Sequence, residues 1–545
     1  MGHVSAVRAS RSEAEDDDIP AAAAAARRWP PRWRPFACGA AWAAGTLAAF
    51  AANLLLARTR AVNSDGAGNA LQAWDMLHGN WLLHGWLTSD VPFYTTELPQ
   101  YMLVELVRGL NQDVVHVAAA ITYTMVMLLA ALLAKGSAAG RGALVRVAIA
   151  AGIMLGPQAS SGTNILLSSP DHIGTSVPVM VVWLILDHAR PRWYIPVLAG
   201  CLLAWAEVAD PLVLYIGVLP LALVCAVRIY RAVAVERRPL ASQWYELGLA
   251  AAAFAAAAAA ALALQLIRSH GGFYAPSPVT QFAQGGALLP RNIGIAGEGL
   301  LLLGGADFLG LRLTANTAVI MLHTVGVFLA AWGTWLAARR FLRDSDRVVQ
   351  LLLTAVVINL AAYVLSTQGQ AVTGTREIDT VLPFCAVLAA RLLADRLLAA
   401  RLMPLLLVVL LGYLGGLARE ITQPSAPPQH QPLTSWLAAH GLRTGLSGYW
   451  ESNVVTLTSG GAVQVRFVSP AGGRLVTGNV ELNTRWYDPL RATANFVVLT
   501  SGLPGYGGFT SSQAVLATFG KPARQYHFGA YVVLVWHKNL LRELH

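Results

Sequence analysis

Charge is what this sequence is shortest of. Asp, Glu, Lys and Arg make up only 12% of its 545 residues, against about 25% in soluble domains. That deficit excludes a protein whose main solvent is water. Lysine is almost missing: Lys135, Lys521 and Lys538 are the three, and the other 36 basic residues are arginine. Cysteine is scarce too, at Cys38, Cys201, Cys225 and Cys385, each in or beside an apolar run and with no CxxC pair. Neither a disulfide framework nor a structural zinc site follows from that pattern. The net charge of +10 would suit a nucleic-acid partner, but the basic residues stand at the ends of apolar runs, so no nucleic acid is expected. No Walker loop, dinucleotide fingerprint or catalytic triad pattern occurs in the polar C-terminal part, and no DxD motif in the loops assigned below to the outside.

Long apolar runs are abundant. The chain is 55% hydrophobic with a mean hydropathy of +0.51, and Ala251 to Ile267 and Leu402 to Leu417 are nearly unbroken. Runs of this length span or nearly span a bilayer core. Eleven spans are expected, at about 36–57, 114–134, 143–157, 173–187, 194–208, 211–228, 245–267, 313–338, 348–366, 380–396 and 402–418. Residues 1–35 precede them as a disordered cytoplasmic tail with an acidic patch, an alanine run and then arginines. A first apolar run this long is retained as a helix, because a cleaved signal peptide has a shorter apolar core.

Orientation follows from the cations. With the N-terminus inside, sixteen Lys or Arg residues fall in or beside the inner loops and seven in the outer loops, the asymmetry of the positive-inside rule. Fusing 194–228 into one span would move Arg228 to Arg238 outside, so a break at Asp210-Pro211 is favoured. The odd number of spans then leaves the C-terminus outside.

Two outer loops are long, 58–113 and 268–312. In the first, Leu71, Trp74, Leu77, Trp81 and Leu82 form a stripe at helical spacing, and a second short helix starts near Thr96-Glu97. Such helices either lie in the headgroup layer or pack as ordinary loop helices. From 420 onward Pro424, Pro427, Pro428 and Pro432 make a linker. The remainder, to 545, reads as a small extracytoplasmic α/β domain. Helices are expected at 433–440 and 510–519, with strands at 463–468, 495–500, 525–528 and 530–536.

Acidic residues are rare at span centres and gather at outer ends. They include Asp65, Asp75, Asp90, Glu97, Glu105, Asp113, Asp171, Glu207, Asp210, Asp307 and Glu377. A proton-coupled transporter would place ionisable groups near the midplane within an inverted repeat. This distribution instead suits a site at the outer face.

Several local sequences carry a family resemblance. They are Asn63-Ser64-Asp65-Gly66 after the first span, Ser89-Asp90 through Glu97-Leu98-Pro99 later in the same loop, and Ser169-Pro170-Asp171-His172. Gly374-Thr375-Arg376-Glu377 before the tenth span and Gly448-Tyr449-Trp450 in the last domain add to them. With the order of elements, they resemble the GT-C type of polytopic membrane glycosyltransferases, distantly the protein O-mannosyltransferases and aminoarabinose transferases. The chain departs from those two families where Gly66, not Glu, follows Asp65.

The resemblance implies a GT-C-like helical membrane domain over 36–419 and transfer of a sugar from a polyprenyl-phosphate donor to an extracytoplasmic acceptor. It implies Asp65 at the catalytic acidic position, where a carboxylate is expected to act as the general base. Arg376 and Arg291 are the outside arginines suited to a phosphate, since a guanidinium fork makes two parallel charged hydrogen bonds. Asp90 and Glu97 share the Asp65 loop and are expected to contact substrate. A divalent cation, Mg²⁺ or Mn²⁺, is expected near Asp171 and His172, because carboxylate and imidazole both ligate such ions. Membrane lipid is the other implied partner.

Structural roles compete for each of these residues: Asp65 and Asp171-His172 as helix caps, Asp210-Pro211 as a turn, His323 as a packed residue, Tyr449 and Trp450 as core. Two other functions compete with transfer: transport or flipping of a lipid-linked intermediate, and a non-enzymatic envelope protein whose last domain binds glycan.

Overall fold

The computed structural model describes residues 34–156, 162–168, 172–276, 281–282, 286, 288–343, 345–500 and 512–544. The expected tail over 1–35 falls almost wholly outside them. From Ala49 onward the chain forms one compact unit.

All eleven expected spans are helical. Among the described residues seven helices are long and apolar enough to cross a membrane: Cys38–Arg58, Asp113–Lys135, Leu214–Val235, Leu240–Ser269, Ala315–Arg340, Arg347–Leu365 and Met403–Ile421. The remaining four positions hold Gly140–Met154, His172–His188, Tyr194–Ala209 and Val381–Ala399. The last of these carries Arg391 in its buried face. Two carboxylates hold that guanidinium, Asp187 at 2.5 Å and Asp346 at 2.8 Å, and the Leu133 carbonyl accepts its Nε–H at 2.7 Å. A buried charge is tolerated only with such partners. At the same end of the bundle Arg228 and Arg347 share Glu246. Arginines placed inside by the charge bias therefore clamp helices together as well.

The break at Asp210-Pro211 is real. Pro211 has no N–H to continue the helix, and Asp210 Oδ1 instead accepts the Leu212 amide at 2.8 Å. Helix Tyr194–Ala209 ends there, and the next begins at Leu214.

The 58–113 loop holds the two expected helices, Ser64–Leu77 and Glu97–Arg108. They bury Ala67, Ala70, Leu71, Leu98 and Tyr101 with Val454 and Leu457 of the last domain, so they are packed into the protein. The 268–312 loop contains a helix that the sequence reading lacked, Leu288–Leu303. Gly294, Gly297 and Gly299 weaken its local helical signal. At Gly299 the missing side chain has a use: a Cβ there would stand 2.7 Å from Thr375 Oγ1, so the glycine admits the Val372–Ile378 turn.

The C-terminal domain is a six-stranded mixed sheet with helices. Its strand order is Arg474–Thr477, Gln464–Ala471, Thr444–Ser447, Phe496–Thr500, Tyr531–Val535, Arg524–Phe528. Thr444–Ser447 runs parallel to both neighbours, and the other pairs are antiparallel. The expected strands are present; Thr444–Ser447 and Arg474–Thr477, four residues each, are additional. Two contacts fix this domain on the first loop. Leu482–Asn483 pairs antiparallel with Trp86–Leu87, and the linker amide of Ala426 donates to the Arg58 carbonyl.

Candidate active site

The first site residue is set by a helix cap. Asn63 Oδ1 accepts the Gly66 amide at 2.9 Å and starts helix Ser64–Leu77. Asp65 therefore lies in the first turn, where amide dipoles favour negative charge. Asn63, not Asp65, is the cap, and the Asp65 side chain stays 26% exposed.

Asp65 meets groups from two distant parts of the chain. Arg376 Nη1 stands 3.9 Å from Asp65 Oδ2, and Arg376 Nε 3.8 Å from Glu377 Oε1. The Tyr449 hydroxyl lies 2.5 Å from Asp65 Oδ1 and 2.8 Å from Glu481 Oε2. Ser64 Oγ donates to the Tyr449 carbonyl at 2.5 Å, which seats helix Tyr449–Thr458 against the Asp65 turn.

Glu377 continues the network inward. Its Oε2 lies 3.0 Å from His172 Nε2, and His172 Nδ1 lies 2.7 Å from Asp210 Oδ2. Thr175 Oγ1 also donates to Asp210. With a carboxylate on each ring nitrogen, the imidazole donates from both. Burial would push the Glu377 carboxyl up, but His172 and Arg376 outweigh it and hold it below the usual range. Burial and the Glu377 charge push Asp90 up.

A chamber of about 410 Å³ opens here, lined among others by Asp90, His172, Glu207, Asp210, Tyr363 and Glu377. An apolar groove of about 410 Å³ runs between the bundle helices, lined by Leu300, Val327, Trp335, Val357, Leu360 and Leu382 among others. Helix Arg347–Leu365 borders both: Leu360 faces the groove, Asn359 and Tyr363 the chamber.

The expected site residues divide accordingly. Asp65, Arg376, Asp90 and His172 belong to this one region. Glu97 does not line the chamber. It is 4% exposed, accepts from Thr96, and its Oε1 occupies the space a Cβ on Gly174 would need. Burial raises its pKa to about 7. Arg291 stands on helix Leu288–Leu303 and donates to the Gln370 carbonyl at 3.1 Å, bracing the segment that leads to Arg376.

Asp171 lies outside the described residues. As placed, His172 offers a cation no free ring nitrogen, and among the described residues no group of three His, Cys, Asp or Glu side chains is arranged to hold a metal. The described residues do not fit the expected cation. His323 is packed, stacked on Tyr413 at 4.1 Å, though Nδ1 has no hydrogen-bond partner among the described residues.

Glu481 was invisible in the sequence. It sits in the left-handed region, φ +49°, one residue before the strand that pairs with Trp86–Leu87. A Cβ on Gly68 would come within 2.3 Å of its Oε2. Gly68 thus admits a carboxyl group to the face of the Asp65 helix.

No family model and no curated protein matches this chain. Among solved structures, the crystal structure of ArnT from Cupriavidus metallidurans in the apo state is similar over 92% of this chain and 98% of that one. The TM-score is 0.54 and the sequence identity 12%. The chain thus shares the fold of that protein: a polytopic helical bundle with a small C-terminal sheet domain.

Proposed function

We propose that this chain is a multi-pass membrane glycosyltransferase that moves a sugar from a polyprenyl-phosphate donor to an extracytoplasmic acceptor. The observation that carries the proposal is the pairing of Asp65 with Arg376 at 3.9 Å beside an acid-lined chamber, with an apolar groove on the adjoining helix. A donor with a greasy tail and a charged head needs both surfaces at once. The fold of ArnT, an aminoarabinose transferase of the GT-C type, supports the same class of chemistry.

In this reading the N-terminus is cytoplasmic and the C-terminal domain extracytoplasmic. The polyprenyl chain lies in the groove and its phosphate meets Arg376, whose side chain is 48% exposed. Arg291 braces the neighbouring turn. Asp65 accepts the proton of the acceptor hydroxyl as that oxygen bonds to the anomeric carbon. The bond from the anomeric carbon to the phosphate oxygen breaks, and its electron pair leaves with polyprenyl phosphate, whose charge Arg376 offsets. General-base catalysis of this kind contributes roughly 10²–10⁴-fold. Asp90, on the chamber wall, contacts the sugar.

The test is transfer in proteoliposomes supplied with polyprenyl-phosphate sugars and a panel of envelope acceptors. Time-dependent loss of donor with stoichiometric glycosylated product supports the reading. Movement of intact donor across the bilayer without product would replace it with transport.

A further inference from the structure

One hydroxyl stands between two carboxyl groups at this site, and its proton count is informative. Tyr449 Oη is 2.5 Å from Asp65 Oδ1 and 2.8 Å from Glu481 Oε2. A phenol has a single proton to donate. Two ionised carboxylates would leave one contact as lone pair against lone pair, so one of the acids must hold a proton and donate it to the tyrosine oxygen.

The surroundings decide which acid. Asp65 is partly exposed, lies in a helix first turn and has Arg376 at 3.9 Å. Glu481 is 3% exposed. Its neighbours are Gly68 and Asp65 on helix Ser64–Leu77, and Tyr449 and Asn453 on helix Tyr449–Thr458. Tyr101 of helix Glu97–Arg108 and Arg376 of the Val372–Ile378 turn also act on it. Asn453 Nδ2 donates to its backbone carbonyl, at 3.0 Å, and not to its carboxyl. A buried acid next to another negative charge keeps its proton.

We propose that Tyr449 and Glu481 form a positioning relay for Asp65. Glu481 is the neutral acid and donates to the Tyr449 oxygen, while the Tyr449 hydroxyl donates to the Asp65 carboxylate. Burial and the Asp65 charge push the Glu481 carboxyl well above its usual range, in keeping with that assignment. Burial likewise pushes the Tyr449 phenol up, so it stays a donor.

The C-terminal domain therefore completes the site by fixing the charge and direction of a carboxylate on the first loop. Three local features exist to permit it: the left-handed backbone at Glu481, the missing side chain at Gly68, and the Ser64 bond to the Tyr449 carbonyl. The relay rests on the proposed role of Asp65 for its consequence in catalysis, but the proton's location does not depend on it.

The experiment has two arms on the full-length protein in lipid nanodiscs. In the first, infrared difference spectra at neutral pH compare wild type with Glu481→Gln and with Asp65→Asn. The relay predicts that a carboxylic-acid carbonyl band disappears in Glu481→Gln and persists in Asp65→Asn. The band disappearing only in Asp65→Asn, or in neither, overturns it. This arm reads out even if no sugar transfer is found, so a failure of the enzyme reading stays distinguishable.

The second arm is a pH profile of transfer. A hydrogen bond to a carboxylate favours its charged form, so Tyr449→Phe should move the acid limb of kcat to higher pH, by ~1 pH unit, with donor KM unchanged. Glu481→Gln, which still donates to the tyrosine oxygen, should lose severalfold less kcat than Glu481→Ala. An acid limb unmoved in Tyr449→Phe, or equal losses in the two Glu481 variants, contradicts the relay.

Discussion

The Tyr449 hydroxyl donates to Asp65 Oδ1 across 2.5 Å and 384 positions of sequence. A residue from the soluble domain thus touches the acid next to the first membrane helix. The two regions are bound by a strand pair, a shared apolar core and this contact, so the last domain is part of the site. Cutting the chain in the proline linker should therefore remove activity. Co-expressed pieces 1–423 and 424–545 recover it only if the domain redocks, which co-purification checks.

Gly68→Ala tests the approach of Glu481 most lightly. The added methyl would stand 2.3 Å from Glu481 Oε2 and displace it. We expect normal membrane insertion with a ~10-fold loss of kcat, the scale of one charge-assisted hydrogen bond. Gly39→Ala, with nothing within 4 Å, is the control. Equal activity of the two variants would show that the close approach has no catalytic consequence.

Arg376 is assigned to the donor phosphate, with Asp65 and Glu377 as its neighbours in the free protein. Arg376→Ala should raise donor KM by ~10-fold or more. Arg376→Lys should recover only part of that, because an ammonium lacks the planar fork. Titration with polyprenyl phosphate alone, followed by intrinsic fluorescence, checks binding apart from turnover. Unaltered affinity in the Ala variant would remove this role.

His172 is held between two carboxylates, Asp210 at 2.7 Å and Glu377 at 3.0 Å, and its side chain is 7% exposed. His172→Ala strands both acids near the chamber floor. Breaking a buried charge pair costs ~3–5 kcal/mol, so the melting temperature in detergent should drop. The double variant with Glu377→Gln should recover part of the loss, since one of the stranded charges is then gone.

Glu97 gives a pH dependence of stability with a definite sign. Burial raises its carboxyl from 4.5 to about 7. The stability of the neutral buried acid is complete below about 4.5 and is lost as pH rises through about 7. Glu97→Gln stays neutral throughout, so it should match wild type near pH 4.5 and melt higher than wild type at pH 8. Melting curves at the two pH values check this; the reverse order would mean the ionised form is the favoured one.

Much of the scaffold was legible because its signals are local. Apolar length gave the span positions, arginine bias kept the break at Asp210-Pro211, and β-branched runs gave most strands. Helix Leu288–Leu303 escaped because three glycines dilute a pattern that only packing against Thr375 explains. For the site, the rule that acids near lipid are costly picked out Asp65, Asp90 and Glu377. It cannot tell a chamber wall from a buried contact, so Glu97 was grouped with them although it packs behind Gly174. Tyr449 reads as core, and Glu481 carries no local signal. Their roles depend on a strand pair between residues 86–87 and 482–483, and nothing local encodes that pairing.

The most direct measurement is single-turnover transfer by Asp65→Asn, beside Asp90→Asn and Glu97→Gln, at matched protein in proteoliposomes loaded with lipid-linked sugar. Asn keeps the shape of Asp65 and accepts the Tyr449 hydrogen bond, but cannot take a proton from the acceptor. The rate should fall by ~10²–10⁴-fold in that variant with donor binding retained, and far less in the other two. Near-normal turnover in Asp65→Asn, with collapse in Asp90→Asn or Glu97→Gln, would contradict the account and move the base to that residue.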